Sequence, residues 1–302
     1  MEGIVLFNKP SGYTSQQVLD YFKQITKEKK IGHGGTLDKL AQGLLIIGIG
    51  TGTKYLRYFL TKTKKTYLAE IKFGYVSETY DREGKLIKKG NCQIDLEKIK
   101  EKLKKFQGKI KQIPPKYSAI KIKGQPAYKL VRRGIDFTLT PKEVNLYDYQ
   151  IVDFYDNLLK IRLTVSSGFY VRSFANDLGE ELSCGGVLWN LIREKINNFD
   201  LKQALTFKDI EKKILEVKIY VKGRVQGVGY RYFCYQSAKK LNITGYAQNL
   251  LDGRVKIIAQ GYLNKLDDFI GNLKKGPILA KVDKMTIIWR RIIKQYNSFK
   301  IL

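Results

Sequence analysis

The sequence predicts an α+β fold with two domains. Short apolar or alternating strand segments are interleaved with amphipathic helical segments along the 302 residues. The pattern changes near residues 212–216, and beyond that point strands and helices follow one another as βαββαβ. The length fits one large domain or two ordinary ones, since single cores usually stop growing at roughly 250–300 residues. We therefore predict one domain over residues 1–212 and a second over residues 215–302.

The N-terminal elements are predicted from turn residues, helix caps and periodicity. Residues 8–12, Asn-Lys-Pro-Ser-Gly, end a short apolar strand. Thr14 or Ser15 can cap an amphipathic helix that follows the turn. The segments predicted in this part are strand 4–7, the helix after Thr14, strand 44–47, a short helix 53–60 and strand 66–73.

The middle of the chain is predicted to contain a helix, a long loop and a hairpin. Asp95 caps a basic amphipathic helix that extends to about Phe106. Pro114 and Pro115 impose an extended stretch, and we predict a loop from there to Pro141. The remaining segments predicted here are strands 144–153 and 158–165 as a hairpin and helix 171–182, closed by Gly185 and Gly186.

The second domain is predicted from the same kinds of signal. A glycine-rich loop, 223–229, separates a first strand from a helix, and Asp252-Gly253 marks a turn between two later strands. The predicted segments are strand 217–221, helix 231–241, strand 243–248, strand 254–260, helix 263–274, strand 282–289 and strand 296–301.

Composition favours a nucleic-acid partner. The chain holds 56 Lys and Arg against 28 Asp and Glu, a formal net charge of +28. Such an excess favours a polyanion, with nucleic acid ahead of a membrane surface, and a merely solubilising surface is the alternative. Residues 215–302 are the more basic part, with 17 Lys and Arg against five Asp and Glu. The apolar share of 43% is ample for a packed core, which excludes disorder as the main state.

Cysteine usage and the N-terminus favour a cytoplasmic protein. Cys92, Cys184 and Cys234 are far apart and form no CxxC motif, and one histidine cannot complete a Cys/His zinc set. The first apolar run is too short for a signal peptide, and no stretch approaches the roughly 18 apolar residues of a membrane span. We therefore expect a reducing, cytoplasmic setting, no metal and no membrane association.

Residues 32–38, Gly-His-Gly-Gly-Thr-Leu-Asp, contain the single histidine of the chain, His33. The three glycines let the backbone approach a ligand closely or adopt a positive φ. Asp38 stands between that loop and a predicted buried strand, so its carboxylate can act as a nucleophile, a base or a metal ligand. A capping aspartate in a surface turn is the alternative.

Residues 48–54, GIGTGTK, match neither of the two nucleotide-binding loop motifs, GxGxxG and GxxxxGK(S/T). We therefore interpret them as a helix-entry turn.

Five motifs occur in an order that is typical of one family. They are GIVLFNKPSGYTSQQV, IGHGGTLDKLAQGLLIIGIGTGTKYLRYF, KKTYLAEIKFGYVSETYDREGKL, IPPKYSAIKIKGQPAYKLVRRG and SSGFYVRSFANDLGEEL. Over about residues 3–210 the chain resembles the bacterial tRNA pseudouridine synthases of the TruB family. The resemblance implies the pseudouridine-synthase catalytic fold, a mixed, largely antiparallel sheet with flanking helices. It also implies isomerisation of a uridine in the T-arm loop of tRNA, of the position-55 type, with no cofactor.

The resemblance assigns roles to three residues of the reaction centre. Asp38, in the GTLD element, corresponds to the nucleophilic carboxylate. Arg172 corresponds to the arginine that pairs with this carboxylate and keeps it charged and aimed. Tyr67 corresponds to the tyrosine that stacks on the target base. Taken alone, the last two also fit a surface arginine at a helix start and an ordinary strand aromatic.

The remaining substrate-binding residues follow from the same resemblance. Tyr170 and Leu191 correspond to positions that pack around the bound nucleotide, and without the family both would pass as core residues. Because the uridine lies inside RNA structure, the enzyme must flip it out of the stack. His33 corresponds to the residue that helps hold the base in the flipped position. Lys65 and Asp81 also lie in family motifs, but we leave them outside the catalytic set.

Two departures from the family pattern stand out. Family members commonly have proline after the GTLD aspartate, whereas Lys39 follows here. The usual C-terminal RNA-binding domain of the PUA type is also replaced by a different sequence. The first departure affects the loop of Asp38, and the second affects how the tRNA elbow is docked.

Residues 216–302 resemble acylphosphatase and imply a ferredoxin-like βαββαβ fold. The resemblance rests on the loop GRVQGVGYR and on the element GYAQN followed by DGRV. A glycine-rich loop that opens a helix directs backbone N–H groups at an anion. The resemblance assigns Arg231 to clamp a phosphoryl group and Asn249 to orient the attacking water, so the expected ligand is a small acyl phosphate. The alternative is a phosphate cradle that now binds RNA backbone.

These observations together predict a tRNA pseudouridine synthase fused to an acylphosphatase-like domain. A tRNA-binding folding chaperone, whose C-terminal domain is only an RNA- or phosphate-binding module, is the alternative. A guide-RNA-directed synthase is disfavoured by the bacterial style of the motifs. Nothing in the sequence indicates an obligate protein partner.

Overall fold

The computed structural model describes residues 1–61, 63–90, 92–122 and 124–302. Its α-helices are α1 (Ser15–Thr26), α2 (Leu56–Thr61), α3 (Leu96–Leu103), α4 (Ala127–Arg132), α5 (Val171–Glu181), α6 (Phe207–Lys212), α7 (Tyr230–Lys240) and α8 (Leu263–Lys275), and 3-10 helices span Gly50–Tyr55, Lys104–Phe106 and Leu201–Gln203. Its strands are β1 (Gly3–Lys9), β2 (Ile31–His33), β3 (Gln42–Ile49), β4 (Lys65–Phe73), β5 (Tyr75–Val76), β6 (Ile87–Lys88), β7 (Gly108–Gln112), β8 (Lys121–Ile122), β9 (Gln125–Pro126), β10 (Lys142–Tyr155), β11 (Leu158–Val165), β12 (Gly186–Ile196), β13 (Phe199–Asp200), β14 (Ile214–Arg224), β15 (Thr244–Asn249), β16 (Val255–Tyr262), β17 (Lys281–Arg290) and β18 (Phe299–Ile301).

The chain divides into two compact units that are each discontinuous in sequence. The terminal unit comprises residues 1–39, 43–59 and 199–302, and the central unit comprises residues 40–42 and 60–198. The N-terminal segment therefore shares a unit with the C-terminal residues.

The central unit is built on an antiparallel sheet in the order β12-β4-β11-β10-β7. Helix α5 packs against β12. A Cβ on Gly179 of that helix would lie only 2.1 Å from the backbone nitrogen of Gly186. Glycine is therefore required where the helix and the start of the strand approach each other, and this contact fixes the helix on which two predicted site residues stand.

The terminal unit has a sheet in the order β18-β15-β16-β14-β17-β1-β3, with β2 added to β3. Strand β1 runs parallel to β17, with Ile4 opposite Ile288 and Val5 opposite Trp289. The N-terminal strand thus joins the edge strand of the βαββαβ part in one sheet. Apolar side chains of α7 and α8 are buried on one face of that part, among them Cys234 and Phe269.

The α+β class and most predicted elements are confirmed. Thr14 caps α1: its Oγ1 accepts from the backbone N–H of Gln17 at 3.1 Å, and the Gln17 Oε1 accepts from the backbone N–H of Thr14 at 2.8 Å. Asp95 caps α3 by accepting from the backbone N–H of Lys98 at 2.7 Å. The predicted hairpin corresponds to β10 and β11. The segment after residue 214 forms the predicted βαββαβ order followed by a short strand.

Three predictions of local structure are wrong or incomplete. The loop predicted up to Pro141 contains the hairpin β8–β9 and helix α4. The sequence does not predict strand β7, because the residues of this strand, GKIKQ, are mostly polar. Strand β12 begins at Gly186, which the sequence assigned only to closing a helix. Its pairing with β4 along most of its length is a tertiary preference that local sequence does not show.

A disulfide joins Cys92 and Cys184 within the central unit, with their Cα atoms 5.2 Å apart. Nothing in the sequence indicates this pair, whose members are 92 positions apart, and the disulfide contrasts with the reducing setting expected from cysteine usage. Cys234 is buried, and burial raises the pKa of its thiol. Among the described residues, no helix is long and apolar enough to cross a membrane.

Candidate functional site

The loop that carries Asp38 is anchored on both sides of the aspartate. Ser15 Oγ donates to the carbonyl of Leu37 at 3.0 Å and accepts from the N–H of Leu37 at 2.9 Å. On the other side, the N–H of Gly12 donates to the carbonyl of Lys39 at 2.9 Å. The partly exposed Asp38 therefore projects from a backbone whose neighbouring peptides are held by the first turn of α1 and the turn before it.

A buried lysine holds the turn that provides these anchors. Lys9 is fully buried, and its Nζ donates to the carbonyls of Pro10 at 3.0 Å and Tyr13 at 2.6 Å. A buried ammonium is tolerated only when acceptors replace its water, and these two carbonyls do so. The sequence alone does not predict this role for Lys9, and it predicts Ser15 only as a possible helix cap. The turn cluster NKPSGYTS was the signal that could have drawn attention to both.

His33 stands at the end of β2, where it pairs with Ile47 of β3. Its Nδ1 accepts from the backbone N–H of Gly35 at 3.4 Å. A Cβ on Gly34 would lie 2.7 Å from the Cβ of Phe59, so only glycine fits there. The glycines thus allow the histidine and the aspartate to share one tight loop in the terminal unit.

Tyr67 and Leu191 share one face of the sheet in the central unit. The register places Tyr67 of β4 opposite Arg193 of β12, and Leu191 opposite Ala69. Tyr67 and Leu191 are both 7% exposed, and Arg193 is 1% exposed. Residues paired across an antiparallel ladder project to the same side, so the tyrosine ring lies beside the arginine and one pair away from the leucine.

Lys65 adds a second buried cation to this face. Its Nζ donates to Ser167 Oγ at 2.8 Å. Burial, reinforced by the nearby charge of Arg193, lowers the pKa of Lys65 to about 8. The amine is therefore partly neutral near neutral pH, unlike an exposed lysine.

The N-terminus of α5 positions Tyr170 and Arg172. The buried Gln112 side chain accepts from the backbone N–H of Tyr170 at 2.7 Å and donates to its carbonyl at 3.0 Å. This pair of bonds replaces an ordinary side-chain cap, because Tyr170 makes none. Gln112 lies on β7, which the sequence did not predict, so this anchor could not be foreseen.

Two backbone carbonyls and a carboxylate hold the Arg172 guanidinium within the central unit. Its Nη1 lies 3.5 Å from Asp81 Oδ2 and donates to the carbonyl of Thr79 at 3.2 Å. Its Nη2 donates to the carbonyl of Tyr117 at 3.1 Å. Asp81 is itself fixed, since its Oδ1 accepts from Thr79 Oγ1 at 2.6 Å and from the N–H of Glu83 at 3.0 Å. The guanidinium is thus oriented by a second carboxylate, and its pairing with Asp38 remains a prediction.

The glycine-rich loop before α7 has the geometry of an anion cradle. Gly227 and Gly229 adopt φ values of 72° and 74°, which favour glycine, and Gly229 is the N-terminal cap of the 11-residue helix. Gln226 donates from Nε2 to the carbonyls of Leu250 at 2.9 Å and Arg254 at 3.0 Å, which ties the loop to the β15–β16 turn. The first N–H groups of a helix lack partners within it and favour a bound anion.

Arg231 and Asn249 border this loop. Arg231 stands in the first turn of α7, and its Nη1 donates to the carbonyl of Leu302 at 2.7 Å. Asn249 ends β15, and its Oδ1 is buried without a hydrogen-bond donor among the described residues. A buried acceptor without a donor costs roughly 1–3 kcal/mol, so its retention favours a ligand or water that donates to it.

Comparison with known proteins decides the family. The model of the TruB family pseudouridylate synthase N-terminal domain matches residues 23–171. tRNA pseudouridine synthase B of Clostridium kluyveri is 38% identical over 211 residues, which cover 70% of this chain and 73% of that protein. The chain belongs to the TruB family. Its relative in Clostridium acetobutylicum is 36% identical over 269 residues, 89% of each protein, and that of Ureaplasma urealyticum is 42% identical over 212 residues, 69% of this chain and 92% of that protein.

Solved structures agree on the fold of this TruB family member. A Cbf5–Nop10–Gar1 complex is similar with a TM-score of 0.55 at 20% identity, covering 94% of this chain and 84% of that chain. The acylphosphatase family model matches residues 217–301. Acylphosphatase from Bacillus subtilis is 39% identical, with a TM-score of 0.29, over 29% of this chain and 98% of that chain. The acylphosphatase family model and the βαββαβ order of residues 214–290 together show that the chain combines a pseudouridine-synthase fold with an acylphosphatase-type ferredoxin-like domain.

The structure groups the predicted site residues into three sets. His33 and Asp38 share the anchored loop of the terminal unit. The acylphosphatase-like loop places Arg231 and Asn249 at its border. The four other residues lie in the central unit, two of them at the N-terminus of α5 and two on one sheet face: Tyr170, Arg172, Tyr67 and Leu191.

Proposed function

We propose that this TruB family member converts a uridine in the T-arm loop of tRNA, of the position-55 type, to pseudouridine. The named relatives are tRNA pseudouridine synthases B, and the chain aligns with most of their length. The observation that carries the proposal is the loop of Asp38, which is anchored at Leu37 and at Lys39. A carboxylate with fixed neighbouring peptides suits a step that demands a defined approach to the nucleotide.

The reaction needs no net oxidation or reduction. The bond between N1 and C1′ of the uridine breaks, a bond from C5 to C1′ forms, and the proton lost from C5 is balanced by one gained at N1. In our proposal Asp38 acts as the nucleophilic carboxylate that allows the base to detach and rotate. Whether it forms an adduct or promotes a glycal route, its carboxylate must be charged and aimed at the nucleotide.

The side chains of the central unit serve the flipped base in this proposal. Base flipping costs roughly a few kcal/mol of unstacking, and stacking on Tyr67 returns about 1–3 kcal/mol. Leu191 and Tyr170 pack around the nucleotide, and His33 helps keep the base out of the stack. Arg172 stabilises the charge of Asp38, while Asp81 keeps the guanidinium aimed.

Mapping of pseudouridine in a tRNA transcript tests the proposal. We expect wild-type protein to convert the T-arm uridine and Asp38→Asn to leave it unchanged while still binding the tRNA. Asp20→Asn, an exposed carboxylate on α1, is the matched control and should convert the RNA normally. If wild-type protein binds tRNA but leaves every uridine unmodified, the folding-chaperone interpretation is correct instead. Modification outside the T-arm loop contradicts the proposed site in the tRNA.

A second activity, hydrolysis of acyl phosphates, is favoured by the buried Oδ1 of Asn249. In this proposal the loop N–H groups and Arg231 bind the phosphoryl group, and Asn249 accepts a hydrogen bond from the attacking water. Water attacks phosphorus, the bond from phosphorus to the acyl oxygen breaks, and carboxylate and inorganic phosphate leave. Neither a metal nor a cofactor is required by the atom balance.

Phosphate release from benzoyl phosphate by the full chain tests this second activity. We expect turnover by wild-type protein and losses of at least about 100-fold in Arg231→Ala and Asn249→Ala, since each removes a charge-stabilising or water-orienting group. Lys240→Ala, at the far end of α7, is the control and should retain full activity. Absence of phosphate release from wild-type protein would leave the loop as an RNA- or phosphate-binding module.

A further inference from the structure

The four-stranded part of the terminal unit's sheet, β15-β16-β14-β17, has two faces of opposite character. On one face, Val217, Ile219 and Val221 of β14 are fully buried. The alternate residues of the same strand project to the other side, because successive side chains in a strand point to opposite faces. The register places the following half-buried or exposed residues on this second side, the open face: Lys218, Tyr220, Lys222, Tyr246, Lys256, Lys284 and Thr286. Four residues of the same side are buried: Glu216, Ile258, Gln260 and Ile288.

Half-buried tyrosines form a row across the open face, each with a cation over its ring. Lys218 Nζ lies 5.1 Å and Arg254 Cζ 5.0 Å from the ring centroid of Tyr220. Lys256 Nζ lies 5.2 Å from the ring of Tyr246. These half-buried rings have positive charge next to them, and aromatic rings beside cations are the combination that binds bases and phosphates together.

Two further tyrosines extend the row at its ends. Tyr296 packs edge-on against Tyr246, with ring centroids 5.7 Å apart. Tyr55, from the 3-10 helix Gly50–Tyr55, has Lys284 Nζ 5.4 Å from its ring and its hydroxyl 3.3 Å from Thr286 Oγ1. The row therefore continues from β15 across the sheet to the segment beside β17.

Two lysines of the open face, Lys222 and Lys284, lie close enough to repel each other. Lys222 and Lys284 are directly opposite in the β14–β17 register, and both are exposed. Like charges in opposite positions destabilise a sheet. Residues 214–302 are described throughout, and within them no ion pair involves either lysine. Glu216, the acidic residue among the paired positions of this face, is 2% exposed and already bonded to Arg290 and Gln260. An anionic partner would relieve the repulsion.

We infer that the open face binds single-stranded RNA, with bases stacked on Tyr220 and Tyr246 and phosphates held by Lys222 and Lys284. Four-stranded βαββαβ sheets can present aromatic side chains on an open face to stack two or three bases. The two tyrosines stand two strands apart and are offset by two residues along the strands, which makes a separation of roughly 12 Å and leaves room for two splayed bases. An acidic protein surface would bind the lysines, but its carboxylates do not stack on aromatic rings as nucleic-acid bases do. The rings therefore favour RNA.

This surface is separate from the acylphosphatase-like loop. Asn249 pairs with Val255, a fully buried residue of the helix-covered side, whereas Tyr246 pairs with Ile258 on the open face. The two features therefore lie on opposite sides of the same sheet. The inference does not depend on uridine isomerisation, because RNA binding is measured without turnover.

The experiment measures binding of fluorescently labelled oligouridine and of tRNA to the full chain. We expect the double variant Tyr220→Ala/Tyr246→Ala to bind at least about tenfold more weakly, and Tyr220→Phe/Tyr246→Phe to bind like wild type, since phenyl rings still stack. Tyr232→Ala, an exposed tyrosine on α7, is the control. Circular dichroism checks that each variant is folded.

The lysine pair is tested by salt dependence. Lys222→Gln/Lys284→Gln should reduce the slope of log affinity against log salt by about 1.4, because each phosphate contact on a single strand contributes about 0.7. Lys239→Gln/Lys240→Gln, on α7, should leave the slope unchanged.

Unaltered RNA affinity in the tyrosine-to-alanine variant overturns the inference. Equal competition by polyglutamate in wild type and in that variant also overturns it and indicates a general polyanion surface. Because oligouridine binding is measured without turnover, either outcome is distinct from failure of the synthase proposal.

Discussion

Asp81 and Arg172 form a buried ion pair in the central unit, with Oδ2 and Nη1 3.5 Å apart and side chains 5% and 6% exposed. The carboxylate is held by Thr79 and Glu83, and the guanidinium by two backbone carbonyls. Pairs of this kind are weak evidence for stability, because desolvation offsets most of the attraction. A fixed guanidinium is nevertheless what a reaction centre requires, so we assign the pair an orienting role.

Removing the Asp81 charge should therefore reduce catalysis more than folding. We expect Asp81→Asn to lower kcat for pseudouridine formation by at least about tenfold, with little change in tRNA affinity, because Arg172 loses the charge that aims it. The asparagine still accepts from Thr79 and Glu83, which limits structural damage. Glu83→Gln, an exposed neighbour, should retain normal kcat. An unchanged kcat in Asp81→Asn would show that the carbonyls alone orient the guanidinium.

Ser15 should prove to be a positioning residue for Asp38. Ser15→Ala removes both bonds to Leu37 and leaves a buried N–H and carbonyl without partners, which costs about 1–3 kcal/mol of unfolding free energy. Because the aspartate itself remains, we expect kcat to fall and tRNA affinity to persist. Gln16→Ala, on the exposed side of the same helix, is the control. Urea unfolding and single-turnover kinetics measure the two effects, and loss of stability without loss of kcat would contradict the positioning role.

Lys65 should give the protein a distinctive pH dependence of stability. Its pKa is lowered to about 8, chiefly by burial, so between pH 8 and the unfolded value near 10.5 the unfolded chain holds a proton that the native state has lost. The unfolding free energy therefore gains from this group as pH rises through that window, by up to about 1.4 kcal/mol per pH unit. Below pH 8 Lys65 is protonated in both the folded and the unfolded state, so the full free-energy cost of burying its charge remains.

Comparison with Lys65→Met isolates this contribution from other titrations. Methionine fills the same space without a charge, so the variant should be the more stable protein below pH 8. The difference in unfolding free energy between wild type and the variant should become smaller as pH is raised toward 10.5. Urea unfolding at one-unit intervals from pH 7 to 10 measures it. A difference that stays constant with pH would show that Lys65 titrates normally.

The sequence predicted the elements whose determinants are local, and missed those that tertiary pairing creates. The sequence predicts Thr14 and Asp95 as helix caps because the capping residue, the spacing and the apolar face all lie within one or two turns. Strand β12 depends on pairing with β4, more than 100 residues earlier, and its local pattern gives no such information. The parallel pairing of β1 with β17 is equally invisible, since it joins the two ends of the chain.

The same distinction applies to the candidate sites. Motifs predict Asp38 and Arg172 as candidate site residues because the TruB family is recognisable from short sequences. The residues that hold them, Ser15 and Asp81, act through contacts that require the fold. The open face escaped notice for a similar reason: Tyr220 and Tyr246 are 26 positions apart, and only the register shows that they share one side of a sheet.

Asn249 offers a test in which stability and activity should move in opposite directions. Its Oδ1 is a buried acceptor without a donor among the described residues, which is unfavourable for folding. Asn249→Leu removes that acceptor at similar volume, so we expect the unfolding free energy to rise by about 1 kcal/mol while hydrolysis of benzoyl phosphate is lost. Gln248→Leu, the neighbour on the other side of the strand, should leave hydrolysis unchanged. Thermal unfolding and phosphate release measure the two outcomes. A variant that is both less stable and fully active would show that Asn249 has an ordinary structural role, because a site built for a ligand retains an unfavourable group only where the ligand uses it.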